Sequence, residues 1–254
     1  MTIIAATAML TTKALLQAAI GSASEDDSFD AAALYRLMAW LSPAYPIGAF
    51  SYSGGIEWAV EAGDIRDAQT LRRWLAVIIG AGSGFCDAVF FVHAHRATAT
   101  GDDAGLRAVA ELAAAFVASK ERLLETTAQG RAFLETTRTA WPCPALARLE
   151  TVWDGPLALP VAVAAACAGH RIGFAPSLHA FLQALAANAI SAGVRLIPLG
   201  QTDGQRVLAA LEPVVGDCAA RARRTPLDEA GSCAFRADIA GMRHETQYTR
   251  LFRS

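Results

Sequence analysis

The chain has 254 residues, 54% of them hydrophobic, and a formal net charge of −2, which is enough for one compact domain with a sizeable core. The near-neutral charge removes any general electrostatic case for nucleic acid. Five cysteines with no CxxC pair argue against a secreted disulfide framework and for reduced, cytosolic thiols.

In chain order, the opening MTIIAATAMLTTKALLQAAI has an apolar run without a cationic start, because Lys13 follows the run, and reads as no signal peptide. Gly21 to Asp30 is polar and acidic, so residues 1–30 are expected as an N-terminal segment and flexible linker. Leu34, Leu37, Met38 and Leu41 then fall at i, i+3, i+4 and i+7, one apolar stripe on a helix. That helix enters LSPAYPIGAFSYSGGIEWA, Leu41 to Ala59, whose prolines and glycines demand special backbone.

A mean hydropathy of +0.31 makes Trp74 to Val92 a formal candidate for a membrane span. Gly80, Gly82, Ser83 and Gly84 interrupt it and Asp87 follows, so two buried helices joined by a turn are expected. Further helices are predicted at about Ala68–Ile79, Gly84–Thr98, Asp102–Thr137, Leu157–His170, Pro176–Ile197 and Gln205–Arg223, with turn chemistry between them. No series of alternating strands appears. The predicted fold class is all-α: one helical bundle over residues 31–223 with short connections and flexible N- and C-terminal tails.

Within the Pro176–Ile197 helix, Asn188, Ser191 and Arg195 form one polar stripe, which must face water, a hydrogen-bonded network or a partner. Pro198 and Gly200 end that helix, and Thr202 and Gln205 have capping-box spacing for the next, leaving Gln201 and Asp203 free for recognition. After Arg223 helical periodicity is lost, and residues 224–254 read as a tail. In its last twelve residues, Arg243, Arg250 and Arg253 are interleaved with Tyr248, Leu251 and Phe252, residue types that anchor interfaces; the alternative is an end that folds back on the core.

Catalytic and metal constellations are weak. Ser51 and Ser53 lack the preceding strand and GxSxG spacing of a nucleophile elbow. His93 and His95 are two apart and point about 200° away from each other on a helix. His170, His179 and His244 stand alone, and no P-loop is present. No catalytic residue, metal site or bound cofactor is expected.

SPAYPIGAFSYSGGIEWA, NAISAGVRLIPLGQTDGQRVLAAL and ETQYTRLFRS together resemble the urease accessory protein F (UreF) family, with KERLLETTAQGRAFLE as a weaker segment between them. The resemblance covers about Leu34 to Ser254. It implies an all-helical, dimeric, cytoplasmic protein that is not itself an enzyme. Such proteins bind the accessory protein UreD (also called UreH) and recruit the GTPase UreG to apo-urease, with GTP bound by that partner and nickel passing into the enzyme as cargo. The resemblance implies a partner surface of Tyr45, Pro46, Phe50, Tyr52 and Glu57 in the loop, Gln201 and Asp203, and Arg243, Glu245, Tyr248, Arg250, Leu251, Phe252 and Arg253 in the tail. It also makes Asn188, Ser191 and Arg195 a candidate polar path for nickel.

The chain departs from the family pattern at Gly54, where His or Gln commonly precedes Gly-Leu-Glu, and at Gln129, where Met is expected before Gly130. Its first 30 residues are also longer than the usual start. The alternatives to a urease role are a membrane-associated protein or another helical interaction protein.

Overall fold

A computed structural model describes residues 30–254. The readings placed on residues 1–29, including the absence of a signal peptide and most of the acidic linker, lie outside the described residues. The chain divides into two compact units, Met1–Arg36 and Leu37–Ser254, and the core, the cavity and the site all belong to the second.

The fold is an all-α bundle, and among the described residues there is no strand. Helix α1 is Ala31–Trp40, followed by the loop, a short 3-10 turn at Ala49–Ser51, and α2, Ile56–Glu61. Next come α3 (Ala68–Ala81), α4 (Ser83–Thr100), α5 (Asp103–Ala115), α6 (Lys120–Ala140) and α7 (Pro144–Val152). The series ends with α8 (Leu159–Gly169), α9 (Phe174–Leu196), α10 (Gln201–Ala222) and α11 (Phe235–His244).

Helices α4 and α8 form the centre. In α4 the run from Gly84 to Val92 is buried throughout, and in α8 Pro160 to Cys167 are buried. A helix apolar on all sides has no face to offer water and is driven inside. Helices α3, α5, α6, α7, α9 and α10 pack against one or both members of this pair. The break expected within Trp74–Val92 falls at Gly82, between α3 and α4. By length and composition Ala68–Thr100 would cross a membrane, yet 67% of its most apolar window is buried in the bundle, which accounts for its hydropathy.

Several local expectations are corrected. The α1 stripe is interrupted: Leu37 is buried but Met38 is exposed, and Trp40, three residues from Leu37 on the same face, is fully buried. The stretch Asp102–Thr137 is two helices, because Ser119 caps α6 by accepting the Arg122 N–H at 3.1 Å. Pro144 opens a helix where only a turn was expected, its missing N–H costing nothing in a first turn. The Thr202–Gln205 capping box does not form, since α10 begins at Gln201 with Gly200 at its N-cap. A capping box is present instead at Asp67 and Thr70, where the Thr70 N–H donates to Asp67 Oδ1 at 2.8 Å.

The C-terminal segment differs most from the sequence reading. Expected as a flexible tail without helical periodicity, it contains α11 and ends with Phe252 and Ser254 buried against the bundle. Gly55, at φ +81°, permits this: a Cβ there would stand 2.7 Å from the Gly241 N of α11, so glycine lets α2 and α11 meet backbone to backbone.

Candidate functional site

The loop after α1 is held from beneath. Tyr45 is buried, its hydroxyl 2.8 Å from Thr137 Oγ1 and its ring against Phe133 and Trp141. Burial pushes the Tyr45 phenol up from its ordinary value, against the opposing effect of the Thr137 bond. Tyr52 is also buried, whereas Pro46 and Phe50 are exposed, Phe50 by 65%. Two of the three loop aromatics expected at a surface therefore plug the end of the bundle, because aromatic rings of that area are worth more buried than wet.

The polar stripe of α9 meets this loop. Asn188 Nδ2 donates to Ala49 O at 3.1 Å and Arg195 Nη2 to Phe50 O at 2.8 Å. The Arg195 guanidinium also lies 4.3 Å above the Phe252 ring, tying loop to tail. Of the outcomes left open for the stripe, Asn188 and Arg195 take the hydrogen-bonded network, while Ser191 is exposed.

The tail crosses the loop and is captured by Glu57 in the first turn of α2. Glu57 Oε1 accepts the Leu251 N–H at 2.6 Å, and Oε2 accepts the Phe252 N–H at 2.9 Å and His244 Nε2 at 3.0 Å. Burial pushes the Glu57 carboxyl up, but the N–H of Leu251, the His244 ring and the N–H of Phe252 together hold it below the usual glutamate value. The other side of the fully buried His244 ring bonds Glu121 Oε2 at 2.7 Å, and Arg250 Nη1 donates to Glu121 Oε1 at 2.7 Å.

At the end of the chain, the Ser53 N–H donates to Ser254 O at 2.8 Å, and its hydroxyl bonds the same oxygen. The Gly54 N–H donates to Ser254 Oγ at 3.3 Å, and that hydroxyl donates to Glu125 Oε2 at 3.0 Å. The Arg253 N–H donates to Ser51 O at 2.8 Å. Gly54 therefore contributes backbone at the position where the family pattern has a side chain. Gln129 is buried and donates from Nε2 to Glu125 Oε1 at 3.3 Å, extending the same network.

Loop and tail, singled out separately in the sequence, are thus one junction. Glu245 serves α6, its Oε1 accepting the Lys120 N–H at 2.7 Å where the helix dipole favours a negative charge. Arg243, Tyr248, Arg250, Leu251 and Arg253 are exposed, whereas Phe252 is buried. Gln201 and Asp203 belong to the first turn of α10, with Asp203 paired to Arg206 at 2.8 Å. His244, Glu121, Ser53, Ser254 and Glu125 were not foreseen as part of the site. Their sequence signal is their place: Ser53 and Ser254 lie within the loop and tail motifs, His244 just before the latter, and Glu121 and Glu125 within KERLLETTAQGRAFLE.

A cavity of about 730 Å³ adjoins the junction, with Asn188, Ser191, Glu125, Ser254, Asp87 and Arg122 among its lining residues. Asp87 and Arg122 form an ion pair there. Arg195 bonds the loop rather than lining this space. The histidines at 93, 95, 170 and 179 bond backbone carbonyls. Among the described residues no group of three or more His, Cys, Asp or Glu side chains is arranged to hold a metal ion.

The UreF family model matches residues 65–212, more than half of the chain. The chain belongs to the UreF family. A Rhodopseudomonas palustris relative (strain BisB5) is 60% identical over 233 residues, covering 92% of this chain and 96% of its own length. A Bradyrhizobium sp. relative (strain BTAi1) is 63% identical over 225 residues, covering 89% and 93%, and one from Bradyrhizobium diazoefficiens is 60% identical over 225 residues, with the same coverage. Each relative is named urease accessory protein UreF. The UreF match spans α3 to the middle of α10, so the loop and tail of the junction flank the matched core.

Proposed function

We propose that this UreF-family chain is a non-catalytic accessory protein of urease maturation. It bridges a UreD/UreH-like protein and the GTPase UreG on apo-urease, acts in the cytoplasm as a homodimer, and modulates GTP-dependent nickel insertion. The observation that carries this reading is the junction itself: the loop and the tail, two of the three segments in which the sequence resembles the UreF family, lie against each other through Glu57 and Ser53, and Arg195 of the third segment ties them together.

Pro46, Phe50, Arg243, Tyr248, Arg250, Leu251 and Arg253 form the partner-facing side of this junction in our reading. Aromatic and arginine side chains on an ordered scaffold lose little entropy on binding. Tyr45, Tyr52, Glu57, Glu245 and Phe252 shape that surface from below. Gln201 and Asp203 provide a second contact. A polar route for nickel as cargo rests on Asn188 and Ser191, which line the cavity with Glu125 and Asp87.

The test is urease activity in cells whose urease operon lacks its own F gene, with nickel supplied and apo-urease levels matched. Activity restored by this chain supports the maturation role. Failure, with soluble protein that pulls down neither UreD nor UreG, rejects it. Phe50→Ala combined with Leu251→Ala changes two exposed side chains and leaves the buried bonds in place. Loss of both co-purification and activity is the expected result, and retention of both rejects this surface.

A further inference from the structure

Helix α11 turns its small residues inward and its large apolar ones outward. It packs on α2 and α6 with Ala240 fully buried and Ala237 and Gly241 half-buried beside it. On the other side Phe235 is 71% exposed, Ile239 44% and Met242 49%. These three stand at i, i+4 and i+7 and so share one stripe. Single exposed apolar residues are ordinary, but a contiguous stripe on an ordered helix marks an interaction surface.

The charges beside the stripe select its occupant. In heptad terms Phe235 and Met242 take position d and Ile239 takes a, which puts Asp238 at g and Arg236 and Arg243 at e. Ala237, Ala240, Gly241 and His244 then fill f, b, c and f, so the bundle covers the back of a coiled-coil helix and leaves its seam free. Arg236 is held within its own protomer, donating to Asp64 Oδ2 at 2.8 Å and lying 5.2 Å from the Trp58 ring. Arg243 is exposed and makes none of the ion pairs among the described residues. Asp238 is half-buried and accepts only the Ser232 hydroxyl, at 3.1 Å. In a second copy laid antiparallel, Asp238 would face Asp238 and arginine would face arginine. In a parallel pair, position g of one helix lies beside position e of the next heptad in the other, so each Asp238 meets Arg243 of the partner subunit. The β-branched Ile239 at a favours two strands in that arrangement.

We propose that α11 is the pairing helix of this chain: a second copy docks in parallel on the stripe of Phe235, Ile239 and Met242, related by a two-fold axis, with Asp238 against Arg243 along both edges. This surface rests on the homodimer part of the reading above and not on the urease role. The stripe lies on the opposite face of the helix from the buried His244, so pairing leaves the bonds between loop and tail in place. A stable interface buries about 800 Å² per partner, which three side chains of about 200 Å² each do not reach. The pair is therefore expected to dissociate on dilution.

The full chain carrying Cys233→Ser, which removes the exposed native thiol, tests this. In a parallel pair each seam residue meets its own copy across the axis, within reach of a disulfide, whose Cα atoms stand about 4.4–6.8 Å apart. Phe235→Cys and Ile239→Cys, each alone in that background, are expected to give a covalent dimer under mild oxidation, well above the yield of Val77→Cys, an exposed position on α3. An antiparallel pair would join Ile239→Cys but not Phe235→Cys. Sedimentation velocity over a concentration series is the second measurement. Asp238→Arg and Arg243→Asp, each alone, set like charges face to face along both edges and are expected to weaken association about tenfold, and the double variant is expected to restore it. A Phe235→Cys yield no higher than that of Val77→Cys, or no restoration in the double variant, overturns this surface and leaves the homodimer standing. A wild-type chain that stays monomeric throughout the series overturns both.

Discussion

The carboxylate of Glu57 accepts the backbone N–H of Leu251 at 2.6 Å across 194 positions of sequence. With its other oxygen on Phe252 N–H and His244, this one side chain replaces the pairing that a strand or helix would give the last residues of the chain. Glu57→Gln keeps the size and one acceptor but loses the charge. A charge-assisted bond is worth about twice a neutral one, and an unmet buried donor costs about 1–3 kcal/mol. Amide exchange over residues 248–254 is expected to accelerate by at least about fivefold, an energy of about 1 kcal/mol. Unchanged protection would show that Glu57 is not the clasp.

Acid acts on the same carboxylate. The Glu57 carboxyl is held below its ordinary value of 4.5 in the folded state. A depressed carboxylate contributes stability above its unfolded value and loses it as pH falls through the folded value. Urea midpoints taken at about pH 6 and about pH 3 should fall more for the wild type than for Glu57→Gln. Equal falls would mean that Glu57 is not linked to folding.

Gly130 lets α6 pass close to the backbone that enters α8. A Cβ built there would stand 2.1 Å from Leu157 O, a backbone atom that cannot swing aside. Gly130→Ala is expected to cost about 1–3 kcal/mol or more, which lowers Tm by about 2–4 °C per kcal/mol in a chain of this size. Gly216→Ala in α10 meets nothing within 4 Å and should hold or raise Tm through helix propensity. Calorimetry of the two variants side by side decides this, and a neutral Gly130→Ala would show that the contact relaxes freely.

Thiol reactivity should divide by burial. Burial pushes the Cys86, Cys167 and Cys218 thiols up to about 12, with the Asp87 charge adding to the shift at Cys86. Cys233 is exposed and Cys143 half-buried. Timed iodoacetamide labelling read by peptide mass should modify Cys233 first and the three buried thiols only on unfolding. Early labelling of Cys167 would indicate that α8 opens in the native state.

The sequence by itself determined the all-helical class and most helix positions, and it singled out the two segments that form the junction. Those signals are local: the apolar runs of α4 and α8, the glycines between α3 and α4, and the prolines and glycines of the loop all act within one or two turns. It missed α7 and α11 because each is short, and the latter is held in part by a backbone approach at Gly55 and Gly241 that no periodicity encodes. It read one helix across Phe116 to Ser119 because apolar spacing continued through a cap.

Only the tertiary structure decided that Tyr45 points inward, that Asn188 and Arg195 hold the loop, and that His244, seemingly isolated, lies between two carboxylates. Charges buried far from their sequence neighbours are tolerated only when folding brings a partner within hydrogen-bonding distance. Which partner that is depends on how the helices pack, and the packing of α2, α6 and α11 is a property of the whole chain.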